Sequence, residues 1–334
     1  MVTELITETV FDIDALLTAD EIEWKLRARR FAEARILPTI EQDFEDKYFR
    51  TEFVAELGSL GLLGMHLEGY GCAGAGAVSY GLACLELEAA DSGWRTFVSV
   101  QGSLAMSAIA KFGSEEQKLA WLPRMAAGEA IGCFALTEHT GGSDPASMLT
   151  TARRDGTDWV ISGRKRWIGL ASIADVAVVW AMTDEGVRGF LVRQATPGFR
   201  AEPIDGKLSM RASIQCDVYL DDVRVPADAM LPRARGLSGP FECLNEARYG
   251  IVWGAMGAAR SCLEAAIARS RQREVFGKPI GSKQLIQQKL ADMFVEYEKG
   301  VLLAMHLGRQ KENDTLSRDQ ISVGKLNNVR EAIA

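Results

Sequence analysis

The pattern of hydrophobic and polar positions divides the chain into three zones. From about residue 18 to 130, apolar residues recur at i, i+3 and i+4, which predicts amphipathic helices. Residues 131–225 instead show short β-rich runs between Asp, Gly and Pro turns, and after Pro240 the helical period returns. We therefore predict an α+β multidomain protein with an N-terminal helical domain (1–130), a central antiparallel β-barrel or sandwich domain (131–239) and an incomplete C-terminal helical bundle (240–334).

Local signals place individual elements within these zones. Thr18 with Glu21, and Ser114 with Gln117, match the capping box that opens a helix. The strands are predicted at Trp159–Ser162, Val176–Trp180, Gly189–Val192 and Cys216–Leu220. Two long helices are predicted over about 241–272 and 282–311, the second burying a stripe of Leu290, Met293, Phe294, Tyr297, Val301 and Met305.

A further helix is predicted to begin near Ser317 and to be cut in mid-pattern at Ala334, without a cap or a polar tail. We therefore expect the sequence to be a fragment of a longer protein.

Composition narrows the class of protein. Hydrophobic residues make up 47% and charged residues 25%, the balance of an ordinary globular protein. A net charge of −7 disfavours nucleic acid and anionic membranes as partners. No targeting signal and no apolar run of the ~20 residues that span a bilayer is visible. The six cysteines form no C-x-x-C pair and the three histidines no zinc spacing. We expect a cytoplasmic protein with reduced thiols and no metal.

The segment Gly69–Gly74 matches the pattern G-x-G-x-x-G, and Asp91 follows at about the interval of a ribose contact. A dinucleotide-binding turn requires a strand before the glycines and a helix followed by a strand after them. Here no convincing strand precedes the glycines and two helical stretches follow. We therefore predict a flexible surface loop at Gly69–Gly74.

The stretch from Ala135 to Pro145 reads ALTEHTGGSDP. Its small hydroxyl residues, its paired glycines and its free backbone N–H groups suit a polyanion or the edge of a ring. On this local chemistry alone, a Gly-rich hairpin turn is the competing interpretation.

Other segments recur in a fixed order with this one: DSGWR at 91–95, GRKRWI at 163–168, ARYGI at 247–251, and RQREVFGKPI at 271–280 followed by Gln284 and LADM at 290–293. Together they resemble the acyl-CoA dehydrogenase family over essentially the whole chain. The resemblance is greatest to the members of that family that oxidise glutaryl-CoA. It implies the same three-zone layout, FAD as cofactor, an acyl-CoA substrate, a homotetramer, and an electron-transfer flavoprotein as acceptor.

The resemblance also implies roles for individual residues. Thr137 would hydrogen-bond the flavin ring, Trp167 would lie against it, and Ser143 would lie near the phosphate or pantetheine groups. Arg273, Phe276 and Gln284 would hold the FAD of a neighbouring subunit. The residues implied to bind the cofactor are Leu136, Thr137, Ser143, Trp167, Ile168, Arg273, Phe276 and Gln284.

The substrate is narrowed by Arg95. We interpret Ser92 as an N-cap, which places Arg95 in the first turn and Ser99 on the same helical face, with Glu88 able to orient the guanidinium. By the resemblance, Arg95, Ser99 and Glu88 would surround the distal carboxylate of glutaryl-CoA, which would be dehydrogenated and decarboxylated to crotonyl-CoA. The implied substrate-binding residues are Glu88, Arg95, Ser99, Ser143 and Arg248. A surface salt bridge between Arg95 and Glu88 is the structural alternative.

Three features depart from the family pattern. The family base is a glutamate in a Tyr-Glu-Gly-Thr segment that does not occur before Ala334, so no residue here inherits that role. The usual Trp-Ile-Thr ends in Gly169, which removes a hydroxyl that would partner the flavin. The usual Glu-Pro run reads Glu138-His139, which changes the loop.

These departures leave two alternatives open. The first is an acyl-CoA oxidase or another short-chain acyl-CoA dehydrogenase in which Arg95 has a structural role. The second is a catalytically silent flavin-binding subunit.

Overall fold

The computed structural model describes residues 12–334, which form two compact units, each assembled from separate stretches of chain. The helical unit contains the chain up to Ile40, Gly76–Arg95 and Arg248–Ala334. The sheet unit contains Glu41–Ala75 and Thr96–Ala247. The three consecutive domains stated above stay a prediction.

The first part of the chain is helical, as its apolar spacing predicts. It contains α1 (Ala19–Phe31), α2 (Ile40–Asp46), α3 (Glu52–Ser59), α4 (Ala77–Ala90), α5 (Ser92–Val98), α6 (Ser107–Phe112) and α7 (Glu115–Ala126). A π-helical segment, Ser99–Met106, joins α5 to α6. The segment Gly69–Gly74 consists of turns and irregular chain, which confirms the predicted loop.

Both predicted capping boxes are confirmed. At the start of α1, the Thr18 N–H donates to Glu21 Oε2 at 2.8 Å, and the Glu21 N–H donates to Thr18 Oγ1 at 3.3 Å. Ser114 and Gln117 make the same reciprocal bonds, at 2.9 and 3.3 Å, before α7. At the start of each of these two helices, two N–H groups that would otherwise lack a partner are therefore hydrogen-bonded.

The middle of the chain forms β1 (Gly132–Ala135), β2 (Thr151–Asp155), β3 (Asp158–Gly169), β4 (Val176–Thr183), β5 (Gly186–Arg193), β6 (Phe199–Pro203) and β7 (Gln215–Val225). All four predicted strands lie within these elements. The strand order is β1-β4-β2-β3-β7-β6, with β5 paired to β4.

The expectation of a purely antiparallel sheet is wrong. The pairs β2–β3, β4–β5 and β6–β7, each joined by a direct connection, are antiparallel, whereas β1 and β2 both pair with β4 in parallel. Short connections permit only antiparallel neighbours, but β1 reaches β4 through a long crossover that includes β2 and β3. The sheet is therefore mixed.

The core of the sheet unit lies between strand side chains and neighbouring helices. The buried set includes Met106 and Ile109 around α6, Trp121 and Leu122 of α7, and Val178 and Trp180 of β4. Gln101 links the π-helical segment to this core, because its amide nitrogen donates to the carbonyl of Ala130 at 2.8 Å and its oxygen accepts from the Gly132 N–H at 2.8 Å. These contacts fix the entry into β1.

The C-terminal part contains α8 (Ser238–Gln272), the hairpin β8 (Glu274–Val275) with β9 (Lys278–Pro279), α9 (Gln284–Glu312) and α10 (Arg318–Ile333). The side-chain amide nitrogen of Asn328 in α10 donates to the carbonyls of Val252 in α8 and Gly300 in α9, at 2.8 and 3.0 Å. The predicted start of a helix near Ser317 is confirmed, and Ser317 is the N-cap of α10.

The predicted stripe on α9 is correct only in its second half. Tyr297, Val301 and Met305 are buried, but Met293 is 37% exposed, and Leu290 and Phe294 are half-buried. The apolar period thus extends beyond the turns of α9 that the rest of the helical unit covers.

Among the residues that the structure describes, one helix, α8, is long and apolar enough to cross a membrane by length and composition alone, which its sequence pattern did not indicate. The core helices of soluble proteins have the same composition, and Tyr249, Trp253 and Met256 of α8 are buried within the protein.

Candidate active site

Four of the residues predicted to contact the cofactor meet where β1 ends and β3 bulges. Leu136 and Thr137 follow β1, and Trp167 and Ile168 lie near the end of β3. The main-chain N–H of Arg166 donates to the Thr137 carbonyl at 2.8 Å, so the two segments are directly hydrogen-bonded. Leu136 and Ile168 are buried, Thr137 is half-buried, and Trp167 is 51% exposed.

The backbone at Trp167 is strained. Its φ is +60°, in the left-handed region that bulky residues rarely adopt. The register between β3 and β7 shifts between Lys165 and Ile168, so Trp167 lies in a bulge that turns its side chain out of the sheet pattern. Strain of this kind persists only where the surrounding structure enforces it, and it is found disproportionately at functional sites.

The Arg166 guanidinium packs against the Trp167 ring. The Arg166 guanidinium carbon lies 4.9 Å from the ring centroid. Arg166 Nη1 donates to Asp217 Oδ2 at 2.9 Å and to His139 Nε2 at 3.2 Å. Arg166 therefore links the exposed tryptophan to β7 and to the loop after β1.

A buried ion pair supports the same two segments. Lys165 Nζ lies 2.8 Å from Glu138 Oε1 and 3.1 Å from the Leu136 carbonyl oxygen. Glu138 also accepts from the N–H groups of Leu149 and Thr150, at 2.6 and 3.0 Å. Burial opposes the charge on both groups and lowers the pKa of Lys165. The pKa of Glu138 is nevertheless lowered, because hydrogen bonds from Lys165 and Thr150 outweigh burial.

Sequence reasoning assigned no role to Lys165 and treated Glu138 only as part of a variant loop. The signal that could have found the pair is the position of Lys165 four residues after the buried Ile161, on the same face of a strand. A buried lysine needs a carboxylate, and Glu138 was available in the adjoining segment.

Ser143 lies in the loop between β1 and β2 and is exposed. Gly141 is buried, and a Cβ there would lie 3.1 Å from the Asp144 carbonyl oxygen. The loop is thus compact at Gly141 and open at Ser143, which leaves the Ser143 hydroxyl accessible to a ligand.

A cavity of about 370 Å³ lies beside Trp167 and is predominantly apolar. It is lined by Thr96, Val100, Trp167, Gly169, Lys207, Leu208, Ser209, Met210 and Gln215. Its volume falls in the ~300–1,000 Å³ range of small-molecule sites. The exposed aromatic face of Trp167 and the apolar walls fit a planar ring such as a flavin. Ser99, at the start of the π-helical segment, is buried.

Gly169 lines this cavity without being required there by packing. A Cβ at Gly169 would meet Val100 Cγ2 at 3.5 Å, an ordinary contact, and its φ is not positive. The absence of a hydroxyl at this position is therefore not imposed by the fold.

In the helical unit, Glu88 of α4 and Arg95 of α5 form an ion pair through Arg95 Nε and Glu88 Oε2. Their side chains are only 9% and 11% exposed, so this is not the surface salt bridge of the structural alternative. Within residues 12–334, Arg95 Nη1 and Nη2 donate to no protein atom. Burial opposes the charge, but Glu88 raises the pKa of Arg95, so the guanidinium stays cationic.

The predicted N-cap of α5 is wrong by one residue. Asp91 Oδ1 accepts from the Trp94 N–H at 2.9 Å, and Asp91 has extended backbone angles. The carboxylate of Asp91 therefore caps the helix, and Ser92 is its first residue. Arg95 remains in the first turn.

Arg248, another predicted substrate residue, lies half-buried in α8. Burial lowers the pKa of Lys325 in α10, and the charges of Arg248 and Arg95 lower it further. Three cations thus act on one another in the helical unit, against the two carboxyl groups of Glu88 and Asp91 that interact with Arg95, so positive charge is in excess there and favours an anionic ligand.

Arg273, Phe276 and Gln284 lie on and after the β8–β9 hairpin. All three side chains are exposed, and Phe276 is 96% exposed with a φ of +52°. An exposed phenylalanine between an arginine and a glutamine is suited to contact a ligand or a second chain.

No group of three His, Cys, Asp or Glu side chains able to hold a metal occurs in the described chain. The six cysteines are free thiols, four of them buried.

Comparison with known proteins gives three consecutive family matches. Residues 18–129 match the model "Acyl-CoA dehydrogenase, N-terminal domain", 133–223 the middle domain and 234–334 the C-terminal domain. The mitochondrial short-chain specific acyl-CoA dehydrogenase of Homo sapiens is 36% identical over 305 residues, which cover 89% of this chain and 74% of the human protein.

Solved structures give the same result. The glutaryl-CoA dehydrogenase of Mycobacterium smegmatis in complex with FADH2 superimposes with a TM-score of 0.97 at 58% identity, over 99% of this chain and 86% of that chain. The butyryl-CoA dehydrogenase of Megasphaera elsdenii has a TM-score of 0.90 at 30% identity, over 94% of this chain and 85% of that chain.

Proposed function

Because the chain belongs to the acyl-CoA dehydrogenase family, we propose that it uses FAD to oxidise the α,β bond of a short-chain acyl-CoA thioester. The proposed substrate is glutaryl-CoA, which would yield crotonyl-CoA and CO2 as FAD is reduced. The choice of glutaryl-CoA among acyl-CoA substrates depends on the site around Arg95.

The main support for glutaryl-CoA is the hydrogen bonding of the Arg95 guanidinium. Glu88 holds the guanidinium by Nε, while Nη1 and Nη2 remain without protein partners within residues 12–334, in a nearly buried position. A carboxylate accepts two parallel hydrogen bonds from such a fork, and the pair is strong where water is scarce. A monoacyl chain would leave Nη1 and Nη2 without hydrogen-bond acceptors in a nearly buried position, so the site favours an acyl group that ends in a carboxylate.

The comparisons support the same substrate. Identity is 58% to a glutaryl-CoA dehydrogenase, against 36% and 30% to relatives named for short-chain and butyryl substrates. The cations Arg248 and Lys325 add positive charge to the region of Arg95, which further favours an acyl group with a second negative charge.

FAD, when bound, would supply the redox chemistry of the reaction as the acceptor of a hydride. The residues that would hold its ring are Thr137 and Trp167, with Leu136, Ile168 and Ser143 beside them. Arg273, Phe276 and Gln284 would hold the nucleotide of a second subunit, which explains why they are exposed in the single chain. We further propose a cytoplasmic homotetramer that passes its electrons to an electron-transfer flavoprotein.

A second candidate function is an acyl-CoA oxidase, which Gly169 favours. The missing side chain leaves open space in the cavity beside Trp167, although the fold would accept a larger residue. Open space at this point would admit O2 to the reduced ring. Hydrogen peroxide formed at the rate of substrate oxidation, without an added acceptor, would identify the oxidase.

The substrate is tested by steady-state kinetics on the complete gene product loaded with FAD. We expect glutaryl-CoA to have a higher kcat/KM than butyryl-CoA, and Arg95→Gln to lower the glutaryl-CoA value by roughly 100-fold or more while changing the butyryl-CoA value far less. Arg269→Gln, at an exposed arginine of α8, is the control. If Arg95→Gln lowers both values equally, Arg95 does not bind the carboxylate.

A further inference from the structure

The helix α8 carries three glycines, Gly250, Gly254 and Gly257, on the face that packs against α4 and α5. Glycine is the least favourable residue in a helix interior after proline, so each position calls for a reason. A Cβ at Gly257 would overlap the main-chain carbonyl of Leu85, and one at Gly250 would lie 2.9 Å from the Tyr80 hydroxyl. These two glycines permit close helix packing.

Gly254 differs because its missing side chain faces charged atoms. A Cβ there would lie 2.7 Å from Glu88 Oε2, 3.2 Å from Arg95 Nε and 3.3 Å from Arg95 Cδ. Contacts this short exclude a methyl group unless the neighbour moves. The neighbour that can move is the end of the flexible Glu88 side chain, so an alanine would displace the ion pair rather than the backbone.

We propose that Gly254 is a specificity-determining positioning residue, whose missing side chain lets Glu88 hold Arg95 by Nε and keeps Nη1 and Nη2 free for a carboxylate. This inference rests on the proposed function, in which Arg95 binds the distal carboxylate of the acyl group. Gly254 itself touches no substrate atom and acts only through the pair.

The surrounding charges make the position of Glu88 important. Three further charged groups act in this region, the cations Arg248 and Lys325 and the carboxyl of Asp91, and Asp91 interacts with both Glu88 and Arg95. If Glu88 moves, Arg95 Nε loses its hydrogen-bonded carboxylate, and the guanidinium loses its fixed orientation. A mobile fork binds a carboxylate less tightly because its ordering costs entropy.

The experiment compares Gly254→Ala with Gly250→Ala in the complete, FAD-loaded gene product. The measured quantity is the ratio of kcat/KM for glutaryl-CoA to that for butyryl-CoA. We expect Gly254→Ala to lower this ratio by about 10- to 100-fold, mainly through KM for glutaryl-CoA. Gly250→Ala fills a similarly tight space but meets the Tyr80 hydroxyl and Cys84 Sγ rather than the Glu88 carboxylate, so it should keep the ratio within about 2-fold.

A double variant keeps the inference testable if Gly254→Ala does not fold. Glu88→Asp shortens the side chain by one methylene and makes room for the methyl group of the alanine at position 254. We expect the double variant Glu88→Asp with Gly254→Ala to fold. Its ratio of kcat/KM for glutaryl-CoA to kcat/KM for butyryl-CoA should exceed the value calculated by adding the effects of the two single variants. If Gly254→Ala cannot be isolated, the ratio of the double variant should equal that of Glu88→Asp alone. Strict additivity, or a double variant that also fails to fold, would overturn the proposal.

The outcomes separate this inference from the proposed function. If Arg95→Gln lowers the ratio but Gly254→Ala leaves it unchanged, only the role of Gly254 is refuted. If neither variant changes the ratio, the carboxylate site at Arg95 is refuted as well.

Discussion

Lys165 Nζ lies 2.8 Å from Glu138 Oε1, with both side chains almost completely buried. This contact joins the end of β1 to β3 immediately before Trp167. Thr137 and Trp167, the proposed cofactor residues, therefore depend on an ion pair whose side chains do not line the cavity. Glu138 also fixes the loop after β1 through two main-chain N–H groups.

Removing one member of this pair should be costly. We expect Lys165→Met or Glu138→Gln to lower the free energy of unfolding by roughly 3–5 kcal/mol, because each leaves a buried group without its partner. The double variant should lose less than the sum of the two. Urea denaturation measures these values. Glu202→Gln, in an exposed pair with Arg200, is the control and should cost about 1 kcal/mol or less. Equal losses at both sites would contradict the argument.

A second buried ionic group stabilises the helical unit. Glu86 of α4 accepts from Arg29 of α1 at 2.8 and 2.9 Å and from Arg260 of α8 at 2.7 and 2.8 Å, and all three residues are buried. Burial opposes ionisation, but Arg260 and Arg29 lower the pKa of Glu86 to about 2. The carboxylate thus remains charged well into the acid range.

Glu86→Gln should therefore destabilise the protein by roughly 3–5 kcal/mol at neutral pH, since two buried guanidinium groups lose their counter-charge. Because the folded pKa is depressed, this contribution is complete above the unfolded value of about 4.5 and is lost as the pH falls toward about 2. Unfolding measured between pH 7 and pH 3 should show the difference between wild type and variant shrinking. A constant difference would contradict the assignment.

Glu298 of α9 should have the opposite pH dependence. It is 3% exposed, and within residues 12–334 neither carboxylate oxygen has a hydrogen-bond partner. Burial raises its pKa to about 7. The folded protein thus holds the proton more tightly than the unfolded chain, so this group reduces stability as the pH rises from about 4.5 through about 7.

Glu298→Gln should remove that loss and raise the free energy of unfolding at pH 8 by roughly 1–3 kcal/mol, with little change at pH 4.5. The half-exposed Glu296, which pairs with Lys299, provides the control variant Glu296→Gln. If both variants respond to pH alike, Glu298 is not a buried neutral acid.

A substitution at Trp167 should lower FAD affinity with little effect on the free energy of unfolding. Trp167→Gly relieves a positive φ but removes an exposed ring, so the free energy of unfolding without FAD should change by less than about 1–2 kcal/mol. FAD affinity should fall by roughly 10-fold or more, because the stacking surface is gone. Asp314→Gly, which relieves a similar φ at an exposed position, should leave FAD affinity unchanged. Unchanged affinity in Trp167→Gly would contradict its role.

Much of the fold could be predicted from local patterns. The capping boxes at Thr18 and Ser114 and the strand at Val176–Trp180 depend on nearest neighbours in sequence, and the structure confirms them. The parallel pairing of β1 with β4 could not be predicted in this way, because it depends on a long crossover. The exposed Met293 shows the same limit, since periodicity shows an apolar face but not what covers it.

The site shows a similar division. The predicted site residues Thr137, Trp167 and Arg95 come from motifs with recognisable chemistry, and their roles stay predictions. The motifs missed Lys165 and Gly254, whose importance arises only from contacts with residues far away in sequence, Glu138 for one and Glu88 for the other. The role of a buried lysine or of a glycine within a helix is set by the side chains that the fold places against it.

The most direct test of the central claim is an anaerobic titration of the complete, FAD-loaded gene product with glutaryl-CoA, followed by the visible absorbance of the flavin. We expect glutaryl-CoA to bleach the oxidised flavin, butyryl-CoA to do so much more slowly, and Arg95→Gln to abolish the preference. A flavin that butyryl-CoA reduces as fast as glutaryl-CoA, or a protein that binds no FAD, would contradict it.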